Sequence, residues 1–252
     1  MKLLMRIIKS DGYKAVHSTL LLVHLLVPLF GLTVFLAYYT VSPWNEAQKI
    51  AAYLQVVAMA FPLIIGIVTV MESEREKQAG GCQMLLSVPG KKTIPHFSKL
   101  TVLLLLGLLS SILAVLGFGI FFILMGNVEF SLSLYSKATM LLLLGNLPLY
   151  MLQYIISFAC SKGVGLSLGI VGSLLSALFL TGLGDRIWPF LPWSIAVRLC
   201  SMLVNCETGN ASFINDTEVM SALVNIVIST AALLLFLVLW SAKWEGKRND
   251  SE

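Results

Sequence analysis

Residues 102–119 read "VLLLLGLLSSILAVLGFG", an apolar run relieved only by serine and glycine. A helix crossing the ~30 Å hydrocarbon layer of a membrane needs about 20 mostly apolar residues, and this run with its flanks supplies them. Every backbone N–H and C=O in lipid has to be bonded within the protein, so the run is either helical or part of a closed barrel. A barrel strand alternates apolar and polar residues over about ten positions. Residues 102–119 do not alternate. They predict a membrane-spanning helix over 100–125.

Five more runs of this kind lie at 20–39, 53–71, 138–160, 164–183 and 219–240. The expected fold class is all-α: a polytopic membrane protein with six transmembrane helices, forming one transmembrane domain over residues 1–252. Composition agrees, since 58% of the 252 residues are hydrophobic and 12% are charged. Soluble domains average roughly 45–50% and 25% and need that polar surface. The balance excludes a soluble enzyme, a disordered chain and a nucleic-acid-binding domain.

Six spans place both ends on the same side. Lysine and arginine should be in excess on the cytoplasmic side. Lys2, Arg6, Lys9 and Lys14 precede the first span; Arg75, Lys77, Lys91, Lys92 and Lys99 lie between spans two and three. Lys162, Lys243, Lys247 and Arg248 fall on that side as well, against Lys49, Lys137, Arg186 and Arg198 on the other. Both termini are therefore expected in the cytoplasm, with residues 1–19 a basic cytoplasmic segment. Spans four and five are separated only by residues 161–163, which implies a tight hairpin.

Pro28, Pro62 and Pro148 interrupt spans one, two and four. Each removes a helical hydrogen bond and kinks its helix, to form a hinge or for ordinary packing. Gly165, Gly169, Ser173 and Ala177 place a small residue at every fourth position of span five, a surface that lets another helix approach closely. His24, Gln55, Asn146, Gln153 and Asn225 are the strongly polar residues inside the spans, and no charged residue sits near the middle of one. An ion-coupled carrier or a channel with a charged ring places ionisable groups there. Four scattered cysteines and three histidines make no metal-ligand pattern. Cys200 and Cys206 either pair or remain two thiols.

Residues 72–99, "ESEREKQAGGCQMLLSVPGKKTIPHFSK", carry the most information about function. Glu72 and Glu76 share a face one helical turn apart. Gly80 and Gly81 break the helix, a short apolar piece follows, and Pro89-Gly90 turns the chain before Lys91 and Lys92. A short helix set across the membrane face in this way can dock on a soluble partner; a solvated charged loop is the plainer reading. Residues 184–218, the longest segment on the outer side, open with Asp185, Trp188, Phe190 and Trp193 among prolines. Such rings are expected at headgroup depth, as anchors or as a surface that meets an amphipathic substrate. The outer segments hold Glu46, Glu129, Asp185, Glu207, Asp216 and Glu218 against four basic residues, mildly favourable for a cationic peptide.

The stretches 42–66, "SPWNEAQKIAAYLQVVAMAFPLIIG", 72–92, "ESEREKQAGGCQMLLSVPGKK", and 180–199, "LTGLGDRIWPFLPWSIAVRL", resemble the permease subunits of bacterial ABC exporters. More narrowly, the chain is similar to lantibiotic-immunity permeases of the MutG type, and next to the companion MutE type. The resemblance implies a multi-pass protein of the bacterial cell membrane that expels lantibiotics or related antimicrobial peptides for self-immunity or resistance. It implies two partners, an ATP-binding subunit that carries ATP and Mg and a second permease subunit. It implies a coupling segment comprising Glu72, Glu74, Glu76, Gln78, Leu85, Leu86 and Pro89, a re-entrant or interfacial pair of short helices within residues 184–218, and substrate contact at Asp185, Trp188, Phe190 and Trp193. The chain itself is expected to be neither an enzyme nor a cofactor protein, because Gly90-Lys91-Lys92 lacks the upstream glycine and the Ser/Thr of a phosphate-binding loop. The glutamates superficially resemble those of membrane-embedded CAAX-type proteases, but those need histidines on later spans and none follows His96. The rival within the same class is an export permease for another cargo: a lipid, a drug or a bacteriocin.

Overall fold

The computed structural model describes residues 2–88, 90–209 and 217–246. Helix α1 (Lys2–Val16) is followed by α2 (Thr19–Tyr39), α3 (Glu46–Gln78) and the single turn α4 (Gln83–Leu86). Helix α5 (Thr93–Ser111) continues through a π-helical stretch (Ile112–Gly117) into α6 (Phe118–Leu124), making one long span. Then come α7 (Leu132–Ala159), α8 (Lys162–Leu180), α9 (Pro192–Glu207) and α10 (Thr217–Lys243). Among the described residues, six helical segments, α2, α3, α5–α6, α7, α8 and α10, are long and apolar enough to cross a membrane. There is no strand among the described residues.

The expected spans are all present, and α3 is longer than hydropathy alone gives. It runs for 33 residues, about 50 Å at 1.5 Å per residue. Its distal end is fixed by a capping box, in which Asn45 Oδ1 accepts from Gln48 N–H and the Gln48 side chain accepts from Asn45 N–H. Its other end projects beyond the apolar run as the Glu72–Gln78 segment. Helix α1 and residue Trp244 lie on one side of the bundle, tied there by Asp11 to Lys99 and by Lys92 to the Trp244 carbonyl. This is called the proximal side. The hairpin between α7 and α8 is tight, with only Cys160 and Ser161 between the helices, both extended.

Helix α7 is the centre of the bundle, while α2, α8 and α10 keep most of their apolar surface outward, as a lipid environment allows. Helix α8 runs antiparallel to α3 through its small-residue stripe. A Cβ on Gly66 would lie 3.0 Å from Gly169 Cα, and one on Gly165 would lie 2.6 Å from Val70 Cγ2. Side chains at these positions would separate the two backbones.

The prolines are accommodated locally. Pro28 has no N–H for the His24 carbonyl, and Ser110 Oγ of α5 donates to that oxygen at 2.6 Å. Beside Pro62, Leu63 N–H donates to Ser173 Oγ of α8 at 3.0 Å. The π-helical stretch leaves the Ala114 carbonyl to accept from Tyr53 Oη at 2.6 Å, within an aromatic stack of Tyr53, Phe118 and Phe122. Tyr53→Phe is expected to lower stability by about 1 kcal/mol, the net value of one hydrogen bond, measured as a lower thermal midpoint in nanodiscs.

The segment after α8 takes the re-entrant rather than the interfacial form of the short-helix pair that the resemblance implies. It folds back into the bundle, and α9 rises again alongside α8. Trp193 packs against Gly172 and Pro62, near the middle of α8 and α3. Ser201, two turns later, accepts from Gln55 Nε2, closer to the distal end of α3. A Cβ on Gly145 would touch the Ala196 backbone, so α9 packs tightly against α7 as well. Cys200 is a buried thiol directed at the Ala138 carbonyl, and the bridge to Cys206 is not formed.

Candidate functional site

The proximal end of α3 carries "ESEREKQ", and its helical periodicity divides these residues between two faces. Glu72, Ser73 and Glu76 turn inward and are buried, whereas Glu74, Arg75 and Lys77 are half-buried and Gln78 is exposed. The inward face meets the first turns of α5. Lys99 Nζ lies 2.8 Å from Glu72 Oε1 and 2.6 Å from Glu76 Oε1, and 3.6 Å from Asp11 Oδ1 of α1. Ser98 Oγ donates to Asp11 Oδ2 at 2.5 Å. Lys99 is only 3% exposed. Arg75 Nη2, 2.7 Å from Glu72 Oε2, adds a second cation at the rim, and Lys77 pairs with Glu74 at 2.8 Å.

Loss of Glu72 and Glu76 therefore carries a cost to the fold. Their shared face holds a buried lysine rather than facing solvent, and removing one partner of a buried pair strands the other charge. Lys99, Asp11 and Ser98 were not singled out by sequence reasoning. The available signal was positional: Lys99 opens the third apolar run at the level where two acids leave the second.

The same start of α5 collects two more spans. His96 shares a 2.9 Å hydrogen bond with Tyr154 Oη of α7 and sits edge-on to Trp240 and Trp244 at the end of α10. Ser73 Oγ donates to the Ser157 carbonyl at 2.6 Å, joining α3 to α7. Between α3 and α5 the chain passes through α4. Gly80 and Gly81 have φ of +110° and +61°, and Cys82 has +65°, so three residues in the left-handed region reverse the chain beneath α3. Cys82 N–H donates to the Glu76 carbonyl at 3.1 Å, which fastens the reversal to the ionic cluster. Leu85 is buried, Leu86 is half-buried and Gln83 is exposed. Pro89 lies outside the described residues. Short contacts thus join the Cys82 turn to α3, and the start of α5 to α1, α3, α7 and the end of α10.

The four distal residues are not brought together. Trp188 is fully buried and donates from its indole N–H to Glu218 Oε2 at 2.6 Å, packed among Ile195, Leu199 and Val219. Phe190 is 66% exposed, beside Met220 and Val224 of α10. Trp193 is half-buried at mid-depth against α8 and α3. Asp185 is exposed and paired with Arg198 at 2.8 Å. A common layer of rings at headgroup depth is thereby corrected: the fold-back carries Trp188 and Trp193 inward and leaves Phe190 outside. Trp188→Phe keeps most of the packing but leaves Glu218 without the indole. A thermal midpoint lowered by a few degrees, about 1–2 kcal/mol, is expected.

These features define a polytopic helical membrane protein whose spans converge on a short proximal turn. A family model described as "ABC-2 family transporter protein" matches residues 12–180, about two thirds of the chain, and the chain belongs to that family. It is the membrane component of an ABC transporter, a multi-pass permease of a kind that lacks an ATPase domain and works with an ATP-binding subunit. The match takes in α4 and the Glu72–Lys99 cluster and ends before α9. No curated protein matches the chain.

Proposed function

We propose that this permease sits in a bacterial cell membrane with both termini cytoplasmic and expels lantibiotics or related amphipathic antimicrobial peptides, giving self-immunity or resistance. A separate subunit binds ATP and Mg, and a second permease subunit completes the assembly. Closure of the ATP-binding subunits pushes on the segment from Glu72 to Pro89. Gln78 presents polar surface there; Leu85 and Leu86 seat α4 on the bundle; Glu72 and Glu76 pass the movement to Lys99. Glu74 acts at the rim, where it is paired with Lys77. The observation that carries this reading is the buried cluster tying α1, α3 and α5 together, with the turn that leads into α4 bonded through Cys82 N–H to the Glu76 carbonyl.

The peptide cargo is supported by the resemblance of residues 72–92 and 180–199 to lantibiotic-immunity permeases and by the excess of acids in the segments opposite the termini. Phe190 is the ring best placed to meet a peptide, with Asp185 close by in sequence. The second reading, a lipid, drug or bacteriocin as cargo, is favoured by the burial of Trp188 and by the Asp185–Arg198 pair, which withdraw two of four contacts from a peptide. Survival of a deletion strain carrying the gene or an empty vector, against a panel of lantibiotics, separates the two. Protection lost without the gene and restored by it supports the peptide reading; unchanged survival across the panel overturns it. A cysteine at Ser87 is expected to be shielded from an impermeant reagent in intact cells, while one at Ser42 reacts. Reaction at Ser87 would reverse the orientation.

A further inference from the structure

A slot of about 120 Å³, open along one side, lies within the membrane-spanning region between α2, α3, α5 and Tyr150 of α7. Its walls run from His24 to Phe35 on α2 and from Tyr53 to Ile64 on α3, about 17 Å along each helix. The helices are antiparallel, so Phe35 and Tyr53 close the distal end, with ring centroids 5.2 Å apart, and His24 and Ile64 close the proximal end. Val27 and Val56, both more than 40% exposed, form a rim open to the bilayer. Pro28 and Gly31 of α2, one short and one without a side chain, line the slot along this length.

The lining is almost wholly aliphatic and aromatic, and its polar groups gather at one end. His24 is 1% exposed. Its Nδ1 lies 2.7 Å from the Leu20 carbonyl, which can only accept, so Nδ1 carries the proton. Nε2 of the neutral ring is then a lone-pair acceptor, and among the described residues it has no partner. Tyr150 supplies a hydroxyl at the same end, over Gly107, one turn from the Ser110 that caps His24. An unsatisfied polar atom in hydrocarbon is costly. Water is a poor filler along most of this length, because a buried water needs two to four polar partners and the lining away from the His24 end is apolar.

We propose that the slot binds a long-chain membrane amphiphile whose aliphatic chain lies between α2 and α3 and whose hydroxyl donates to His24 Nε2. The site is separate from the coupling cluster and does not depend on which cargo the transporter exports. An aliphatic chain fits the apolar length, and a hydroxyl at its head matches an acceptor at the proximal end. An alkane fills the slot but leaves Nε2 bare.

The test uses the full chain in nanodiscs with a diazirine-bearing hexadecanol and peptide mapping of the photoproducts. Labelling is expected on residues 23–35 and 53–64 in preference to the outward face of α10. Excess hexadecanol should displace the probe about five-fold better than hexadecane, the worth of one hydrogen bond. His24→Phe should remove that preference, and Ala60→Trp, which fills the slot, should remove the labelling. Equal competition by alcohol and alkane, or an unaltered preference in His24→Phe, overturns the proposal. So does labelling spread evenly over α10. Should either variant fail to run as a monodisperse peak, the competition on the wild-type chain decides alone.

Discussion

Lys99→Ala is expected to be the most damaging single substitution at the proximal junction. Asp11, Glu72 and Glu76 converge on this one ammonium, and Arg75 reaches only Glu72. Without Lys99, Glu76 and Asp11 lose the cation that pairs them, and Glu72 keeps only Arg75 at the rim. Breaking a buried pair by removing one partner costs about 3–5 kcal/mol, against near neutrality when both partners are replaced by groups of similar shape. Lys99→Ala should therefore lower the thermal midpoint in nanodiscs by several degrees or abolish a monodisperse preparation. Adding Glu72→Gln and Glu76→Gln to Lys99→Ala should recover most of the loss. Cys82 provides a local readout, because its thiol is 2% exposed and burial, with Glu76 beside it, raises its pKa above the usual value. Alkylation of Cys82 should be slow in the wild-type chain and fast in Lys99→Ala, as the α4 reversal detaches. Equal midpoints and equal alkylation rates would mean that the cluster does not hold the junction.

The second large effect is expected at the contact of α3 with α8. A leucine at Gly169 would place its Cβ 3.2 Å from both Gly66 Cα and the Pro62 carbonyl oxygen, with the rest of the side chain directed into the α3 backbone. No rotamer removes a clash that begins at Cβ, so the helices have to part. That would also break the Leu63 to Ser173 hydrogen bond and lift Gly172 from Trp193. Overpacking of this kind costs about 3 kcal/mol, and membrane helices lose their closest van der Waals contacts with it. Gly163→Leu is the control: a Cβ there meets only Ser161 Oγ, at 3.9 Å, and removing a helical glycine gains about 0.5–1 kcal/mol. Loss of folded protein for Gly169→Leu with normal yield for Gly163→Leu is the expected pattern. Equal yields would show that α8 is not packed on α3 in the membrane.

The spans were legible because a 20-residue apolar run in lipid has one solution, and the small residues of α8 were legible because their spacing marks one helical face. The proximal cluster was half legible. Glu72 and Glu76 announce a common face, but which way it turns depends on Lys99, 23 residues further along the chain than Glu76, and on Asp11, in a helix whose docking no local pattern reveals. Charge counting placed Lys99 among the basic residues of a cytoplasmic segment, where lysines are normally solvated. The distal segment was the least legible. "WPFLPW" reads as an aromatic anchor because tryptophans favour the headgroup layer, yet the indole of Trp188 finds Glu218 and Trp193 finds the gap at Gly172. Those partners lie 30 residues ahead and 21 behind, beyond any local reading. The slot beside His24 depends on how α2 packs against α3 and α5, which no local pattern specifies.

The central claim is that α4 and its flanks receive the movement of an ATP-binding subunit. The direct measurement is site-specific cross-linking in the assembled transporter, purified from its native membrane through a tag on this chain. A short cysteine-reactive photo-cross-linker is placed at Gln83→Cys, on the exposed side of α4, and at Thr181→Cys, at the distal end of α8, as the control. Both are made in a chain whose four native cysteines are replaced by serine or alanine. The account predicts an adduct with the ATP-binding subunit from position 83, none from position 181, and a change in yield when ATP is added. An ATP-binding subunit that co-purifies intact yet gives no adduct from position 83, or gives one from position 181, contradicts it.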